Sequence, residues 1–116
     1  DTIDEISITG PTKITELNND WFKTFFVSPE MFVMIRSKLE EIRGGSAKEN
    51  AEILLSILQG ERGARRNVVL LNAAAALVAG FKAGNFKEGI MLAEDSIDSG
   101  RAADLLNRLI VMTGSR

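Results

Sequence analysis

Two adjacent carboxylates, Asp4 and Glu5, are the first candidates for chemistry in this sequence. They stand where a segment of alternating apolar and polar residues begins. Adjacent side chains point to opposite faces inside a strand, but in the loop before a strand they can converge on one hard cation. Magnesium is commonly held by one or two carboxylates together with substrate phosphates. The pair is therefore a candidate metal site, and the alternative is a solvated pair of surface acids.

Three arginines, Arg62, Arg65 and Arg66, form a second candidate, because they directly precede a strongly apolar helical segment. The N–H groups at a helix N-terminus and arginine side chains can together receive an anion. The segment lacks the glycine pattern of a phosphate-binding loop, so the favoured interpretation is a loop whose arginines pair with Glu61 and nearby acids. Residues 10–12, Gly-Pro-Thr, are likewise interpreted as a turn rather than a phosphate cradle.

Two further features are interpreted as structural. Four aromatic side chains in one segment could stack on nucleobases. The favoured interpretation is packing, with the side chains of residues 22 and 26 on one strand face and those of residues 21 and 25 on the other. A buried amide usually satisfies a neighbouring backbone group, so the one polar residue of the apolar helix is assigned a structural role. These residues are Trp21, Phe22, Phe25 and Phe26, and Asn72.

The absence of histidine and cysteine limits the chemistry available to the 116 residues. It excludes nucleophilic thiols, disulfides, zinc sites built from thiolate or imidazole, and every acid-base scheme that needs an imidazole. Chemistry must use carboxylates, arginine, lysine, hydroxyl groups and the backbone.

The composition is that of one compact domain or part of one. Hydrophobic residues make up 45% of the chain and charged residues 26%, which excludes a disordered chain. The 14 Lys and Arg residues against 16 Asp and Glu give a net charge of -2, and the pI is about 5.2. Without an excess of positive charge to displace counterions, the composition argues against nucleic acid as a partner.

No uninterrupted apolar run reaches the roughly 20 residues that span a bilayer. The longest, residues 68–81, is interrupted by Asn72 and Gly80. The N-terminus has neither the cationic start nor the apolar core of a secretory signal, so a cytoplasmic location without membrane association is expected. Because the chain starts at Asp1 rather than Met, it is expected to be a piece of a longer protein.

The first part of the chain is predicted to be β-rich. The alternation of Ile6 and Ile8 with polar residues predicts a strand from Glu5 to Thr9. Two further β-favouring runs, Thr12 to Leu17 and Trp21 to Val27, flank an Asn-Asn-Asp stretch that tolerates positive φ. A hairpin is therefore predicted.

A short helical turn is predicted at Ser28-Pro29-Glu30, because proline follows a hydroxyl cap; it would carry Met31, Phe32 and Ile35. From Leu39 onward the pattern is helical.

Four helical segments are predicted in the second half of the chain. Ser46 and Glu49 form a capping box, and Asn85 caps a later helix. The segment from Asn67 to Ala79 is apolar on almost every side, so it is predicted to be a core helix covered all round. Gly60 and Ser99-Gly100 separate the segments. The predicted buried stripes are Ala51, Leu54, Leu55 and Leu58, then Phe86, Ile90, Ala93 and Ile97. A final amphipathic helix ending near Gly114 is predicted from Ala102, Leu105, Leu106 and Leu109.

Four linked stretches carry a resemblance to a known family. They are Asp4 to Thr12, Gly44 to Ala51, Val69 to Leu77 and Ala93 to Gly100. In order and spacing they resemble the C-terminal stretch of the anthranilate phosphoribosyltransferases, over the whole chain. The resemblance implies an α/β fold in which residues 1–116 are the C-terminal portion of the catalytic domain shared with nucleoside phosphorylases. One strand and a β-hairpin would precede about four helices.

The resemblance also implies a reaction. The whole enzyme would transfer the phosphoribosyl group of 5-phosphoribosyl 1-diphosphate to the amine of anthranilate, in tryptophan biosynthesis. Mg²⁺ is the implied cofactor, and Asp4 and Glu5 correspond to the family's Asp-Glu pair that holds this ion against the diphosphate.

Other family motifs do not occur in this sequence. The glycine-rich Gly-Thr-Gly-Gly-Asp loop, a Lys-His-Gly-Asn-Arg segment and the helical region that binds anthranilate and forms the dimer lie N-terminal to this stretch in the family. No catalytic residue beyond the metal pair is therefore expected here, and the chain alone is expected to be inactive. The whole protein is expected to be a homodimer, and the bare chain to self-associate through exposed apolar surface.

Three alternatives stay open at this point. Pyrimidine nucleoside phosphorylases share the architecture, and a divergent paralogue could bind nucleic acid, although the acidic pI opposes it. A non-enzymatic helical module could hold a partner with its apolar helix from Val68 to Ala79, which requires an exposed apolar groove.

Overall fold

A β-hairpin precedes four α-helices in the computed structural model, which describes residues 3–114. Asp1 and Thr2, at the start of the chain, lie outside the described residues. Two short 3₁₀ turns, Pro29–Phe32 and Leu39–Ile42, connect the hairpin to the helices. The elements are β1 (Thr12–Asn18), β2 (Trp21–Val27), α1 (Ala47–Leu58), α2 (Ala64–Ala79), α3 (Phe86–Asp98) and α4 (Arg101–Met112).

The predicted hairpin is confirmed. β1 and β2 pair antiparallel from Thr12 opposite Val27 to Asn18 opposite Trp21, which leaves a two-residue loop. Asn19 in that loop has a φ of 53°, a conformation that asparagine tolerates better than most residues.

One aromatic side chain fastens the hairpin to the helices. The ring of Phe86 on α3 meets Phe25 of β2 edge-on at 6.5 Å and stacks on Phe32 of the first 3₁₀ turn at 5.9 Å. Phe25 and Phe32 are both partly buried against the core. The proline-initiated turn is thus confirmed, although Ile35 lies beyond it and is exposed.

The packing predicted for the other aromatic residues is wrong within residues 3–114. Phe22 is 73% and Phe26 60% exposed, because their face of β2 points away from the helices. Trp21, on the face of Phe25, is also exposed, and the Lys23 ammonium lies over both of these rings. Only Phe25 of the four contributes to the core.

The strand predicted from Glu5 to Thr9 is also wrong. Residues 4–5 and 8–10 form bends, and Ile6, Ser7 and Ile8 are all buried, so the segment does not alternate between a wet and a dry face. Among the described residues, the N–H groups of Ile6, Ser7 and Thr9 donate to side-chain oxygens, and the Ile8 carbonyl oxygen accepts from the Ser37 N–H. Within the described residues the sheet therefore has the two strands of the hairpin alone.

The helix boundaries follow the predicted signals. The Ser46 hydroxyl accepts a hydrogen bond from the Glu49 N–H at 3.2 Å, and the Glu49 carboxylate accepts one from the Ser46 N–H at 3.2 Å. The Asn85 side chain accepts a hydrogen bond from the Glu88 N–H at 2.8 Å. Gly100, with a φ of 85°, separates α3 from α4.

The core lies between α2 and α3. Leu70, Leu71 and Ala74 of α2 are buried against Ile90, Ala93 and Ile97 of α3, which confirms the stripe predicted for α3. The two helices approach closely at one point, where a Cβ added to Gly89 would lie 2.9 Å from the Cα and Cβ atoms of Ala74. Two small residues thus permit this contact.

One of the two predicted buried stripes faces outward instead. On α1 the side chains that pack inward are Ile53 and Ile57, whereas Leu54 and Leu55 are exposed. The predicted final helix is confirmed as α4; Ala102 packs against the core, but within the described part of the chain this helix has no fully buried residue, and Leu105 is 62% exposed. α2 is not covered on all sides either, because Val69 and Ala76 are exposed. Across residues 3–114, no helix combines the length and the hydropathy needed to cross a membrane.

An ion pair between a buried arginine and an exposed aspartate joins the beginning of α2 to the end of α3. The Arg66 guanidinium is 3% exposed and donates to both carboxylate oxygens of Asp98, at 2.9 and 3.0 Å. The hydrogen bonds and charge of Arg66 hold the pKa of Asp98 below its usual range. A second ion pair, between Asp95 of α3 and Arg101 of α4, has both side chains exposed.

Gly89→Ala tests the close approach of α2 and α3. We expect the free energy of unfolding to fall by about 1–3 kcal/mol, because the added methyl group overlaps Ala74. This loss is expected although alanine is about 1 kcal/mol more favourable than glycine in a helix. Chemical denaturation measures it. Gly10→Ala is the control, since a Cβ there meets nothing within 4 Å; an equal loss in both variants would contradict the proposed contact.

Asp98→Asn tests the ion pair. Because the folded-state pKa of Asp98 is lowered, the pair stabilises the protein above about pH 4, the usual pKa of aspartate, and this contribution is lost as the pH falls through the lower folded value. We therefore expect Asp98→Asn to lower the Tm near neutral pH and to reduce the fall of Tm as the pH is lowered. Asp95→Asn, which breaks the exposed pair, should change neither the Tm near neutral pH nor its dependence on acidic pH beyond experimental error. Identical profiles for the two variants would count against a special role of Asp98.

Candidate functional site

The two predicted metal ligands lie side by side at the surface. Asp4 and Glu5 occupy a bend just before the buried Ile6, and both side chains are exposed. Among residues 3–114, neither carboxylate has an ion pair or a hydrogen bond. Four carboxylate oxygens are therefore available to an external ligand.

The segment that carries this pair is fixed to α2 by Asn72. The Ile6 N–H donates to Asn72 Oδ1 at 2.9 Å, and Asn72 Nδ2 donates to the Ile6 carbonyl oxygen at 2.9 Å. The same Nδ2 donates to the Val68 carbonyl oxygen, one turn back along α2, at 2.9 Å. The structural role predicted for Asn72 is confirmed, and its backbone partner is next to the acidic pair.

Hydroxyl groups hold the residues that follow. Ser7 is buried, its N–H donates to Thr12 Oγ1 at 3.0 Å, and its Oγ accepts from the Thr9 N–H at 2.9 Å. The Ile8 carbonyl oxygen accepts from the Ser37 N–H at 2.9 Å. The sequence interpretation missed these hydroxyls, although Ser and Thr spaced two and five residues apart are typical of side-chain-stabilised turns. The Thr12 hydroxyl thus accepts a hydrogen bond from the chain's own backbone, in agreement with the turn interpretation of residues 10–12.

The donor set at Asp4 and Glu5 fits a small hard cation. Exposed, unpaired carboxylate oxygens are the ligands that Mg²⁺ prefers, and the ion usually keeps several positions for water or phosphate oxygens. Within the described residues no third Asp, Glu, His or Cys joins the pair into a complete protein cage. The arrangement is therefore that of an open site, in which further ligands come from water or from a phosphate-bearing substrate.

The three arginines do not form one anion site. Arg66 is committed to Asp98, and Arg65 Nη2 donates to the Arg43 carbonyl oxygen at 2.9 Å. The cavity beside them, about 330 Å³, is lined by acidic as well as basic side chains, among them Glu40, Glu41 and Glu61. A structural role is supported for Arg65 and Arg66, although their partners differ from the predicted Glu61.

The apolar helix α2 borders a groove. Val69, Ala73, Ala76 and Leu77 line it together with residues of α3 and α4, and its volume is about 640 Å³. The exposed apolar groove that the interaction-module alternative requires is thus present.

Known proteins resemble this chain over almost its whole length. The model for the a/b domain of a glycosyl transferase family matches residues 1–103. The anthranilate phosphoribosyltransferase of Methanobrevibacter smithii is 45% identical over 115 residues, which is 99% of this chain and 34% of that protein. The chain therefore spans about a third of the length of the curated relatives it matches.

Solved structures agree with the sequence comparison. The crystal structure of anthranilate phosphoribosyltransferase from Thermus thermophilus matches 94% of this chain and 32% of its own, with a TM-score of 0.85 and 32% identity. The Saccharomyces cerevisiae enzyme in complex with PRPP and Mg matches 90% of this chain and 30% of its own, with a TM-score of 0.80 and 32% identity.

The α/β fold implied by the resemblance is confirmed by these neighbours, apart from the first predicted strand. The family model covers well over half of the residues, including the acidic pair, the Asn72 anchor and the α2–α3 core. The chain belongs to the glycosyl transferase family whose a/b domain that model describes.

Proposed function

We propose that this chain is the C-terminal portion, residues 1–116, of the catalytic domain of an anthranilate phosphoribosyltransferase. The whole enzyme transfers the phosphoribosyl group of 5-phosphoribosyl 1-diphosphate to the amine of anthranilate in tryptophan biosynthesis and releases diphosphate. The names of the relatives and structural neighbours support this proposal. A homodimer in the cytoplasm, as expected from the sequence, is part of it.

The observation that carries the proposal is the exposed Asp4-Glu5 pair, which has no partner among residues 3–114 and lies on a segment anchored to the core. We assign both carboxylates as ligands of Mg²⁺. When bound, this ion supplies positive charge against the diphosphate leaving group and orients its oxygens. The two carboxylates hold the ion at the protein surface, where phosphate oxygens can complete its coordination.

No protein nucleophile is required in this chain. Displacement of diphosphate by the anthranilate amine needs positioning and charge stabilisation, so the lack of histidine and cysteine is no objection. The acceptor and most of the donor must be bound by parts of the enzyme outside this chain. Its own contribution is the metal pair and the helical scaffold that holds it.

The alternatives predict different outcomes. A pyrimidine nucleoside phosphorylase would use phosphate and a nucleoside in place of the two proposed substrates. A nucleic-acid-binding paralogue is opposed by the net charge of -2. A helix-binding module would use the apolar groove along α2 and would not depend on Asp4 or Glu5.

Asp4→Asn in the full-length protein tests the metal assignment. We expect kcat/KM for the two proposed substrates to fall by about a hundredfold or more, because charge stabilisation of the leaving group is weakened. The Mg²⁺ concentration at half-maximal rate should rise as well. Steady-state kinetics at varied Mg²⁺ measure both.

Glu40→Gln is the matched control. Glu40 also belongs to a pair of neighbouring exposed acids, with Glu41, but lies in the second 3₁₀ turn. It should leave turnover and Mg²⁺ dependence unchanged. The metal assignment would be overturned if Asp4→Asn behaved like this control.

The 116-residue chain alone should be inactive. Its described residues place no third Asp, Glu, His or Cys side chain beside Asp4 and Glu5 to complete a metal cage. We expect no consumption of anthranilate above background with 5-phosphoribosyl 1-diphosphate and Mg²⁺, followed by anthranilate fluorescence. Turnover by the purified chain would show that the proposed division of the site is wrong.

A further inference from the structure

We propose that Asn72 is a positioning residue for the Asp4-Glu5 pair, which goes beyond its role in packing. The inference rests on the proposed function, since it concerns the same metal site. Asn72 does not touch the carboxylates. It acts through the main chain of Ile6, the residue that follows Glu5.

The geometry of the Asn72 amide sets the backbone at this point. The Ile6 N–H that donates to Oδ1 belongs to the peptide group whose carbonyl is that of Glu5. The Ile6 carbonyl that accepts from Nδ2 belongs to the next peptide group. The orientation of both peptide planes around Ile6 is therefore fixed, and with it the backbone from which the Glu5 side chain departs.

The amide is itself held in one orientation. Its second Nδ2 hydrogen bond goes to the Val68 carbonyl oxygen, so one bond anchors the side chain to its own helix while the other two hold Ile6. An asparagine amide offers two N–H donors and one carbonyl acceptor, and each of these groups has a partner here. Exchanging oxygen and nitrogen would break all three hydrogen bonds.

Burial of apolar side chains cannot perform this task. Ile6 and Ile8 hold the segment against the core. The hydrophobic effect is non-directional, so it fixes where the segment lies but not how its peptide groups are rotated. Hydrogen bonds prefer nearly linear geometry and supply this direction. The described residues place no strand beside this segment, so the Asn72 amide supplies this directional constraint at Ile6.

Metal affinity depends on such support. Groups that orient metal ligands from behind typically contribute 10- to 100-fold to metal affinity. The carboxylates at residues 4 and 5 are exposed and have no partner within the described residues that could orient them from the side. The conformation of their backbone is thus the main constraint on how they meet an ion.

Direct metal binding to the full-length protein tests the inference. Mn²⁺ serves as the probe, because it prefers the same oxygen ligands as Mg²⁺ and is observed by EPR. Binding is titrated in the presence of inorganic diphosphate. We expect Asn72→Leu, which keeps the size of the side chain and removes its hydrogen bonds, to raise the Kd for Mn²⁺ about tenfold or more.

Arg66→Met is the matched control for loss of stability. It removes a buried polar anchor from the same helix but touches neither Ile6 nor the acidic pair. Its Tm should fall while its Kd for Mn²⁺ stays at the wild-type value. An Asn72→Leu protein that also lost Tm but kept wild-type Mn²⁺ affinity would overturn the positioning role.

Failure of the inference is distinguishable from failure of the proposed function. If Asp4→Asn and Glu5→Gln leave Mn²⁺ binding unchanged, the metal site itself is wrong, and the inference falls with it. If those two variants lose binding but Asn72→Leu does not, the positioning role alone is overturned.

A measurement on the unaltered protein covers the case in which Asn72→Leu does not fold. Coupling between two sites is reciprocal, so bound metal should strengthen the hydrogen bond from the Ile6 N–H to Asn72. We expect Mn²⁺ with diphosphate to slow hydrogen exchange at the Ile6 amide severalfold. The Lys38 amide, whose N–H also donates to a side-chain oxygen, that of Glu41, is the internal control. An unchanged exchange rate at Ile6 would overturn the inference.

Discussion

One side-chain amide takes the place of a neighbouring strand in this structure. Asn72 gives Ile6 both of the hydrogen bonds that a strand partner would give, one to its N–H and one from its carbonyl. A buried segment with unsatisfied main-chain groups would be costly, and Asn72 removes that cost at Ile6. The orientation of the main chain next to the acidic pair depends on this anchor.

The helix that carries Asn72 is held to α3 at two other places. The helix packs on α3 at close range, since Gly89 and Ala74 leave room for the two backbones to approach. The buried Arg66 ties its first turns to the last residue of α3 through two hydrogen bonds. These contacts stabilise the α2–α3 core, whereas the Asn72 hydrogen bonds orient the peptide groups of Ile6.

Features set by short-range chemistry could be predicted from the sequence. The loop between β1 and β2, the capping box at Ser46 and the cap at Asn85 each depend on residues within a few positions, and all are confirmed. A structural role for Asn72 could be predicted as well. The metal role of Asp4 and Glu5 stays a prediction.

Features set by distant contacts could not be predicted. The alternation of Ile6 and Ile8 with polar residues indicated a strand. The Ile6 N–H instead donates to the Asn72 side chain, and the Ile8 carbonyl oxygen accepts from the Ser37 N–H, both far along the chain. Periodicity showed that α1 is amphipathic without showing which of its apolar residues face the core. The choice of Ile53 and Ile57 over Leu54 and Leu55 depends on how the helices are placed, which the local sequence does not encode.

The absence of buried side chains in the described α4 affects how the protein unfolds. Every fully buried apolar contact of the α2–α3 core precedes Gly100, so α4 adds little to the cooperative unit. Heat or denaturant should release this last helix in a separate, earlier step, while the backbone around Asn72 stays protected. The stretch of chain after α3 is therefore a place where loops, tags or labels can be added with little effect on the rest of the molecule.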